Sequence, residues 1–208
     1  LRFHLNAQEA ALDDMRRNID AWWPHVEAGA EAIRMTASGC GAHVKEYGHL
    51  LQDDPAYAAK AARIAELTKD AAELVLAQKE ALLPLLAHQP AAGRKVAFHS
   101  PCTLQHGQGI RGVVEELLAA AGFTLTPVAD SHLCCGSAGT YSILQPELSK
   151  QLRDNKLSAL GAGLPEVIAT ANIGCLTHLQ SGGAPRGTPS AVPVRHWVEL
   201  LEEQLPQT

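Results

Sequence analysis

The segment "PEVIATANIGCLTH", residues 165–178, predicts a buried strand followed by a loop that carries a cysteine. The segment "AEAIRMTASGCGAH", residues 30–43, aligns with it without gaps and predicts the same strand and loop. The identical pairs of positions are Glu31 and Glu166, Ile33 and Ile168, Gly39 and Gly174, Cys40 and Cys175, and His43 and His178. This repeat indicates that the chain contains two related modules.

The alignment also predicts where the first module is cut. Upstream of the repeat, "MRRN" at 15–18 pairs with "LRDN" at 152–155 when a two-residue slip is allowed. Continued backwards, the alignment places Leu1 on Ala138, just after the position where a first copy of "CCGS" would stand. We therefore expect the chain to be a fragment that begins downstream of its own first CCG sequence.

Two domains follow from this alignment. Residues 1–88 are expected to form the C-terminal part of the first module, and residues 94–208 the complete second module. Between them, "AHQPAAGRK" at 87–95 supplies turn-forming residues and predicts a linker.

Predicted strands and helices alternate along the chain, which favours an α/β fold with parallel-sheet cores. The first helix is expected over 6–26, with Asn6 as its N-cap and Glu9 at the capping-box position. The Ala- and Leu-rich segment 54–86 predicts one long helix or two shorter ones. Strands are expected at the starts of 95–102, 123–136 and 192–205, and helices in 109–122, where Gly122 ends the helix, and in 145–163.

The composition excludes several classes of protein. A formal net charge of −5 and an aromatic content of 4% argue against nucleic acid as a partner, since neither a basic surface nor a base-stacking platform is expected. No apolar run is long enough to span a bilayer. Five cysteines, an odd number with two adjacent, fit free or metal-bound thiols in a reducing compartment, so a cytoplasmic location is expected.

The cysteines of the second module form the main candidate site. Cys102, the pair Cys134 and Cys135, and Cys175 each follow a predicted strand, with Gly or Pro close by. The carboxyl ends of parallel strands meet at one edge of a sheet, where four thiolates could hold an iron–sulfur cluster or a zinc ion. Adjacent cysteines make a strained disulfide but suit a polynuclear cluster, because neighbouring thiolates can reach different metal atoms.

Other interpretations of these residues remain open. Any single cysteine is often simply buried in a core. His43 and His178 are either ligands or outer residues that hydrogen-bond the loop. A catalytic cysteine would need a histidine and a third orienting group, and no C-x-x-C pair is present, so thiol chemistry is the weaker interpretation.

Three further histidines and one helix face have a simpler interpretation. His99, His106 and His132 lie near the candidate ligands in sequence and are expected to act as outer hydrogen-bond donors or to be satisfied within loops. The residues expected to form a solvated helix face are Arg153, Asp154 and Lys156.

The pattern C-x31-CCG-x38-C-x-x-H within a tandem repeat resembles the cysteine-rich CCG-domain family. This family occurs in the B subunit of heterodisulfide reductase, in lactate-utilisation iron–sulfur proteins and in iron–sulfur subunits of glycolate oxidase. The resemblance to the last group is strongest and runs through nearly the whole chain. The blocks that carry it include "HLNAQE", "NIDAWWP", "TASGCGAHVKEYG", "SPCTLQH", "DSHLCCGSAGTY", "LRDNKLSAL", "TANIGCLTHL" and "VRHWVELLE".

The resemblance implies two CCG modules packed about a pseudo-twofold and an iron–sulfur cluster, of 4Fe-4S type, that carries electrons. It further implies a ferredoxin-like N-terminal region of the same chain, with two four-iron clusters, which these residues do not contain. Glycolate would be oxidised to glyoxylate at FAD on partner subunits, and the electrons would pass toward quinone. The protein would then be cytoplasmic, free or peripheral at the inner face of the membrane, with no catalytic residue of its own.

The resemblance also defines the metal ligands and one departure. Cys102, Cys134, Cys135 and Cys175 would be the ligands of the second site, and Cys40 the remaining ligand of the first. Heterodisulfide reductase modules end in C-x-x-C, whereas here His178 and His43 stand at the last position. Imidazole in place of thiolate typically raises the reduction potential, but it can equally indicate a different metal or none.

Two alternative functions follow. The chain could be a docking module for the flavin subunits that binds structural zinc or no metal. It could also be the equivalent subunit of a complex that oxidises lactate or reduces a heterodisulfide.

Overall fold

The computed structural model describes residues 2–86, 93–183 and 191–206. The chain divides into two compact units, residues 1–71 and 72–208. The predicted linker at 87–95 lies mostly outside the described residues. Within the described part of the chain, no helix is both long enough and apolar enough to cross a membrane.

The first unit is a small α/β layer built around helix α1. Its elements are a 3-10 turn at Phe3–Leu5, α1 at Gln8–Glu27, β1 at Ile33–Met35, α2 at Ser38–Lys45, α3 at Tyr47–Leu50, α4 at Ala58–Leu67 and β2 at Thr68–Asp70. Ala11, Met15 and Ile19 are spaced four residues apart and are buried on one face of α1. They pack with buried residues of α2 to α4, including Ile64.

Three local predictions for this unit are wrong. Asn6 is not the N-cap of α1, because it closes the preceding 3-10 turn with a φ of 61° and Ala7 takes the cap position without a side-chain bond. The segment 54–86 is interrupted by β2, which pairs in parallel with β1. Cys40 lies in the first turn of α2 rather than in a loop.

The second unit contains a four-stranded sheet. Its elements are α5 at Ala71–Ala77, α6 at Lys79–Leu86, β3 at Lys95–His99, a π-helical turn at Thr103–Gly107, α7 at Val113–Ala120, β4 at Thr124–Leu125, α8 at Tyr141–Leu144, α9 at Pro146–Gly161, β5 at Val167–Thr170, α10 at Ile173–Gln180, β6 at Val194–His196 and α11 at Trp197–Glu202. The strand order is β4-β3-β5-β6 and every pairing is parallel. The predicted α/β class with parallel sheets is confirmed.

The strand order places a topological switch point between β3 and β5. From β3 the chain passes through α7 to β4 on one side, and it returns through α9 to β5 on the other side of β3. Such a change of direction opens a cleft where ligands bind in open α/β sheets. The end of α7 is as predicted, since Gly122 has a φ of 91° and its N–H bonds to the Ala119 carbonyl.

The sequence repeat has a structural counterpart. β1, α2 and β2 correspond to β5, α10 and β6, and both strand pairs are parallel. The register also matches, because Ile33 pairs with Thr68 and the equivalent Ile168 pairs with Val194. The pseudo-twofold arrangement of two modules stays a prediction.

Candidate metal centre

Three chain segments at the carboxyl edge of the second sheet bring four cysteines together. Cys102 follows β3 by three residues, Cys134 and Cys135 lie in the connection from β4 to α8, and Cys175 is the third residue of α10, just after β5. Their side chains form a continuous series of thiol contacts, in which Cys102 meets Cys134, Cys134 meets Cys135, and Cys135 meets Cys175. Cys175 therefore lies in a helix, where the sequence predicted a loop.

The series runs from the surface into the core. Cys102 and Cys134 are partly exposed, whereas Cys135 and Cys175 are buried. The two buried thiols belong to the apolar cluster that includes Leu160 of α9. One end of the group is thus open to solvent, and the other is closed by hydrophobic side chains.

The four thiols shift one another's pKa values in opposite directions. Hydrogen bonds from Cys102 and Cys135 hold the pKa of Cys134 far below its usual range. The same bonds, together with burial, raise the pKa values of Cys102 and Cys135. The pKa of Cys175 is lowered to about 5, first by its hydrogen bond with Cys135 and then, against burial, by the adjacent His99 imidazole.

A bound cation would remove this competition among the thiols for ionisation. Four negative charges in one half-buried group repel each other, and a bound metal supplies the positive charge that lets every thiol lose its proton. The donor set, all sulfur at a protected sheet edge, fits an iron–sulfur cluster or zinc.

Gly136 shapes the loop that carries the cysteine pair. Its φ is 89°, and a Cβ at this position would collide with the Ser149 carbonyl oxygen and lie 3.0 Å from the Leu152 Cβ. The Gly136 N–H points at the Cys134 Sγ over 3.3 Å. The Ser149 hydroxyl donates to the Gly136 carbonyl over 2.8 Å, which fixes the loop against α9.

Two amide side chains tie these three segments to one another. The Asn172 Oδ1 accepts from the Gly174 N–H at 2.9 Å, and its Nδ2 lies 3.4 Å from the Thr103 hydroxyl. The Gln105 amide donates to the Ser100 carbonyl at 2.9 Å and to the Ser131 carbonyl at 3.1 Å. Each amide therefore joins two of the segments that carry the cysteines.

Lys156 is a buried cation beside the cysteines. It is 3% exposed, and its Nζ donates to the Asp130 carbonyl over 2.8 Å. Burial lowers its pKa, while the nearby Cys135, Asp130 and Cys134 oppose that shift. The prediction of a solvated helix face is therefore wrong for Lys156, although it holds for the exposed Asp154.

The histidines separate into different environments. His178 turns toward α9, with its Nε2 3.2 Å from the Ser149 hydroxyl oxygen. The His106 Nε2 lies 3.1 Å from the His132 carbonyl oxygen. His99 is instead 1% exposed, and one ring nitrogen lies together with the Cys135 and Cys175 sulfurs, all within 4.8 Å of one another.

His99 is the functional candidate that sequence reasoning underrated. Neither of its ring nitrogens has a hydrogen bond of acceptable geometry, although the ring lies beside Cys175. A buried polar group without a partner costs about 1–3 kcal/mol. Its place as the last residue of a buried strand, three residues before Cys102, was the available signal.

The first unit shows no second thiol near Cys40, which is exposed on α2. His43 packs among the rings of Phe3, His4 and Tyr47, and its Nδ1 lies 3.7 Å from the Glu46 carboxylate. Burial is the main cause that lowers the His43 pKa. In the described part of this unit, Cys40 and His43 therefore do not form a complete metal site.

Comparison with known proteins identifies a family domain in the region of the clustered cysteines. The model of the CCG cysteine-rich domain matches residues 96–180, which include all four clustered cysteines. The glycolate oxidase iron-sulfur subunit of Escherichia coli (strain K12) is 56% identical over 203 residues, 98% of this chain and 47% of the relative. The probable glycolate oxidase iron-sulfur subunit of Bacillus subtilis (strain 168) is 33% identical over 98% of this chain and 45% of the relative.

A third relative is matched over more of its own length. Lactate utilization protein A of an Exiguobacterium species is 30% identical over 182 residues, which are 87% of this chain and 72% of the relative. The chain thus spans about half the length of the two glycolate oxidase relatives and almost three quarters of this one.

Proposed function

The chain belongs to the CCG cysteine-rich family that includes a glycolate oxidase iron-sulfur subunit and lactate utilization protein A, and on this premise we propose that it carries electrons within a glycolate-oxidising complex. In this proposal Cys102, Cys134, Cys135 and Cys175 hold an iron–sulfur cluster of the 4Fe-4S type. The observation that carries the proposal is the meeting of these four side chains at the sheet edge.

The surroundings of the cysteines suit electron transfer. When bound, an iron–sulfur cluster accepts and releases single electrons. The apolar cluster around Cys135 and Cys175 excludes water from the inner side of the group. The partly exposed Cys102 and Cys134 leave the outer side accessible to a partner protein. The buried Lys156 ammonium favours the thiolate forms of the neighbouring cysteines.

The partners are proposed from the relatives. Glycolate is preferred over lactate as the substrate of the complex, because identity to the E. coli glycolate oxidase subunit is 56% against 30% for lactate utilization protein A. Oxidation of glycolate would take place at FAD on partner subunits. Electrons would pass through this chain and a ferredoxin-like N-terminal region to quinone, with the complex in the cytoplasm or at the inner membrane face.

The remaining predicted ligands have smaller roles in this proposal. His178 acts from outside the metal, through Ser149, on the loop of Gly136. Cys40 is the remaining ligand of the first site in this chain, and His43 packs among the rings of Phe3, His4 and Tyr47 outside it.

A docking module with zinc or no metal is the second candidate. It is favoured by the burial of Cys135 and Cys175 among apolar side chains, where neutral thiols pack well. In that case the chain would hold the flavin subunits without carrying electrons.

The test is reduction of the centre by substrate in the assembled complex. The complex is purified anaerobically and mixed with glycolate or lactate. Samples are frozen rapidly at successive times, and the EPR signal of this chain's cluster is recorded in each. We expect glycolate to reduce the cluster faster than lactate does. Cys134→Ser should abolish the signal, while Cys40→Ser, in the other unit, should leave it intact. A signal that survives Cys134→Ser, or one that glycolate cannot produce, would contradict the proposal.

A further inference from the structure

Among the described residues, His99 is the imidazole that the fold places among the cysteine sulfurs. It ends β3 at the carboxyl edge of the sheet, and its neighbour in register on β5 is Thr170. A His99 ring nitrogen and the Cys135 and Cys175 sulfurs all lie within 4.8 Å of one another, and all three residues are buried. Side chains at this spacing can contact one common metal atom.

The hydrogen bonding around His99 is incomplete. Neither ring nitrogen has a hydrogen bond of acceptable geometry, although the ring approaches the Cys175 thiol, and the buried Thr170 hydroxyl beside it has no hydrogen-bond partner among the described residues. Buried polar atoms are paired in more than about nine cases in ten, so two orphaned side chains in register mark the position of a missing group. A group that takes an imidazole lone pair next to two thiolates is a borderline metal such as iron or zinc.

The imidazole of His178, which the sequence pattern places nearest to Cys175, is already engaged. The His178 Nε2 lies 3.2 Å from the Ser149 hydroxyl oxygen and 3.4 Å from the Ser149 carbonyl oxygen. The histidine of the C-x-x-H pattern, His178, therefore does not face the sulfurs. The histidine that lies beside them is His99, which stands 79 residues earlier in the sequence.

We propose that His99 is a direct ligand of the centre formed by Cys102, Cys134, Cys135 and Cys175. This proposal rests on the proposed function and changes it in one respect. Because each iron of a 4Fe-4S cluster takes one terminal ligand, the His99 imidazole takes the place of one of the four thiolates. A neutral imidazole also leaves one negative charge fewer in a largely buried site. Since replacement of thiolate by imidazole raises the potential of an iron–sulfur centre, His99 sets this centre higher than an all-thiolate one would be.

The experiment detects the nitrogen at the metal directly. The chain is produced with ¹⁵N-labelled or natural-abundance histidine, the metal content is measured, and pulsed EPR of the reduced cluster reports any coupling to a histidine nitrogen. The natural chain is compared with His99→Cys and with the matched control His178→Gln, and the midpoint potential of each is titrated.

We expect a strong, isotope-dependent nitrogen coupling in the natural chain that persists in His178→Gln and is absent from His99→Cys. His99→Cys should also shift the midpoint potential to a more negative value, because a thiolate then replaces the imidazole. If His99→Cys does not fold, the natural chain and His178→Gln still decide the question. A cluster without strong histidine coupling, or coupling that is lost in His178→Gln, would overturn the assignment.

Metal analysis keeps this proposal distinct from the proposed function. A natural chain with iron and sulfide but no histidine coupling defeats only the assignment of His99. A natural chain with zinc defeats the iron–sulfur function, and X-ray absorption at the zinc edge then supports His99 if imidazole scattering is present and is lost in His99→Cys. Zinc without that scattering, or no metal under anaerobic conditions, overturns both.

Discussion

Replacing Gly136 with Ala should destabilise the second unit through two separate effects. Gly136 has a φ of 89°, which costs a residue with a Cβ about 1–2 kcal/mol. The added methyl would also collide with the Ser149 carbonyl oxygen of α9 and crowd the Leu152 Cβ. Because the colliding atom belongs to the backbone, relief requires a shift of the loop or helix, at about 1–3 kcal/mol.

The expected total is about 2–5 kcal/mol of lost unfolding free energy. Gly112→Ala is the matched control, since Gly112 has a φ of 74° but a Cβ there would meet nothing within 4 Å. This variant should lose only the conformational cost of about 1–2 kcal/mol. The difference between the two variants then isolates the contact with α9.

Urea unfolding gives the measurement. Trp197, fully buried in the second unit, serves as the fluorescent reporter in a background where Trp22 and Trp23 of the first unit are replaced by Phe. Metal is removed first, so that loss of metal does not contribute. If Gly136→Ala loses no more stability than Gly112→Ala, the close approach of the cysteine loop to α9 is refuted.

Two further predictions concern buried or shielded charges. Lys156→Met should shift the midpoint potential of the metal-loaded centre to a more negative value, by on the order of 50 mV, because a nearby positive charge is lost. The control Lys150→Met, which replaces an exposed lysine, should leave the midpoint potential unchanged. A redox titration in which both variants behave alike would contradict this. In the first unit, the hydrogen bond from Arg16 lowers the pKa of Asp54 in the folded state below its unfolded-state value of about 3.9. The contribution of Asp54 to folding stability is therefore complete above the unfolded-state pKa and is lost as pH falls through the lower folded-state pKa. Urea midpoints of the first unit should therefore fall less steeply with acid in Asp54→Asn than in the natural chain, and equal slopes would exclude this role of Asp54.

The sequence predicts the elements that follow from local patterns. Strand β3, the end of α7 at Gly122 and the alternation of strands with helices depend on residues adjacent in the chain. The convergence of the four cysteines also follows, because parallel strands end at one edge and each cysteine comes after such an end.

Features that depend on distant contacts were not predictable in this way. β2 is three residues long inside an Ala-rich helical pattern, and it exists because its backbone pairs with β1. Lys156 is buried because its ammonium reaches the Asp130 carbonyl, 26 positions away in the chain. His99 could be placed near the site from sequence, but its proximity to Cys135 and Cys175 depends on how β3, the connection from β4 to α8, and α10 come together.

The metal content of anaerobically purified protein tests the central claim most directly. Iron, acid-labile sulfide and zinc are quantified together with the visible absorption spectrum, in the natural chain and in Cys134→Ser. The account predicts iron with sulfide and a broad visible absorption in the natural chain, and loss of all three in the variant. Zinc alone, or a folded and colourless chain without metal, would show that the four cysteines serve structure rather than electron transfer.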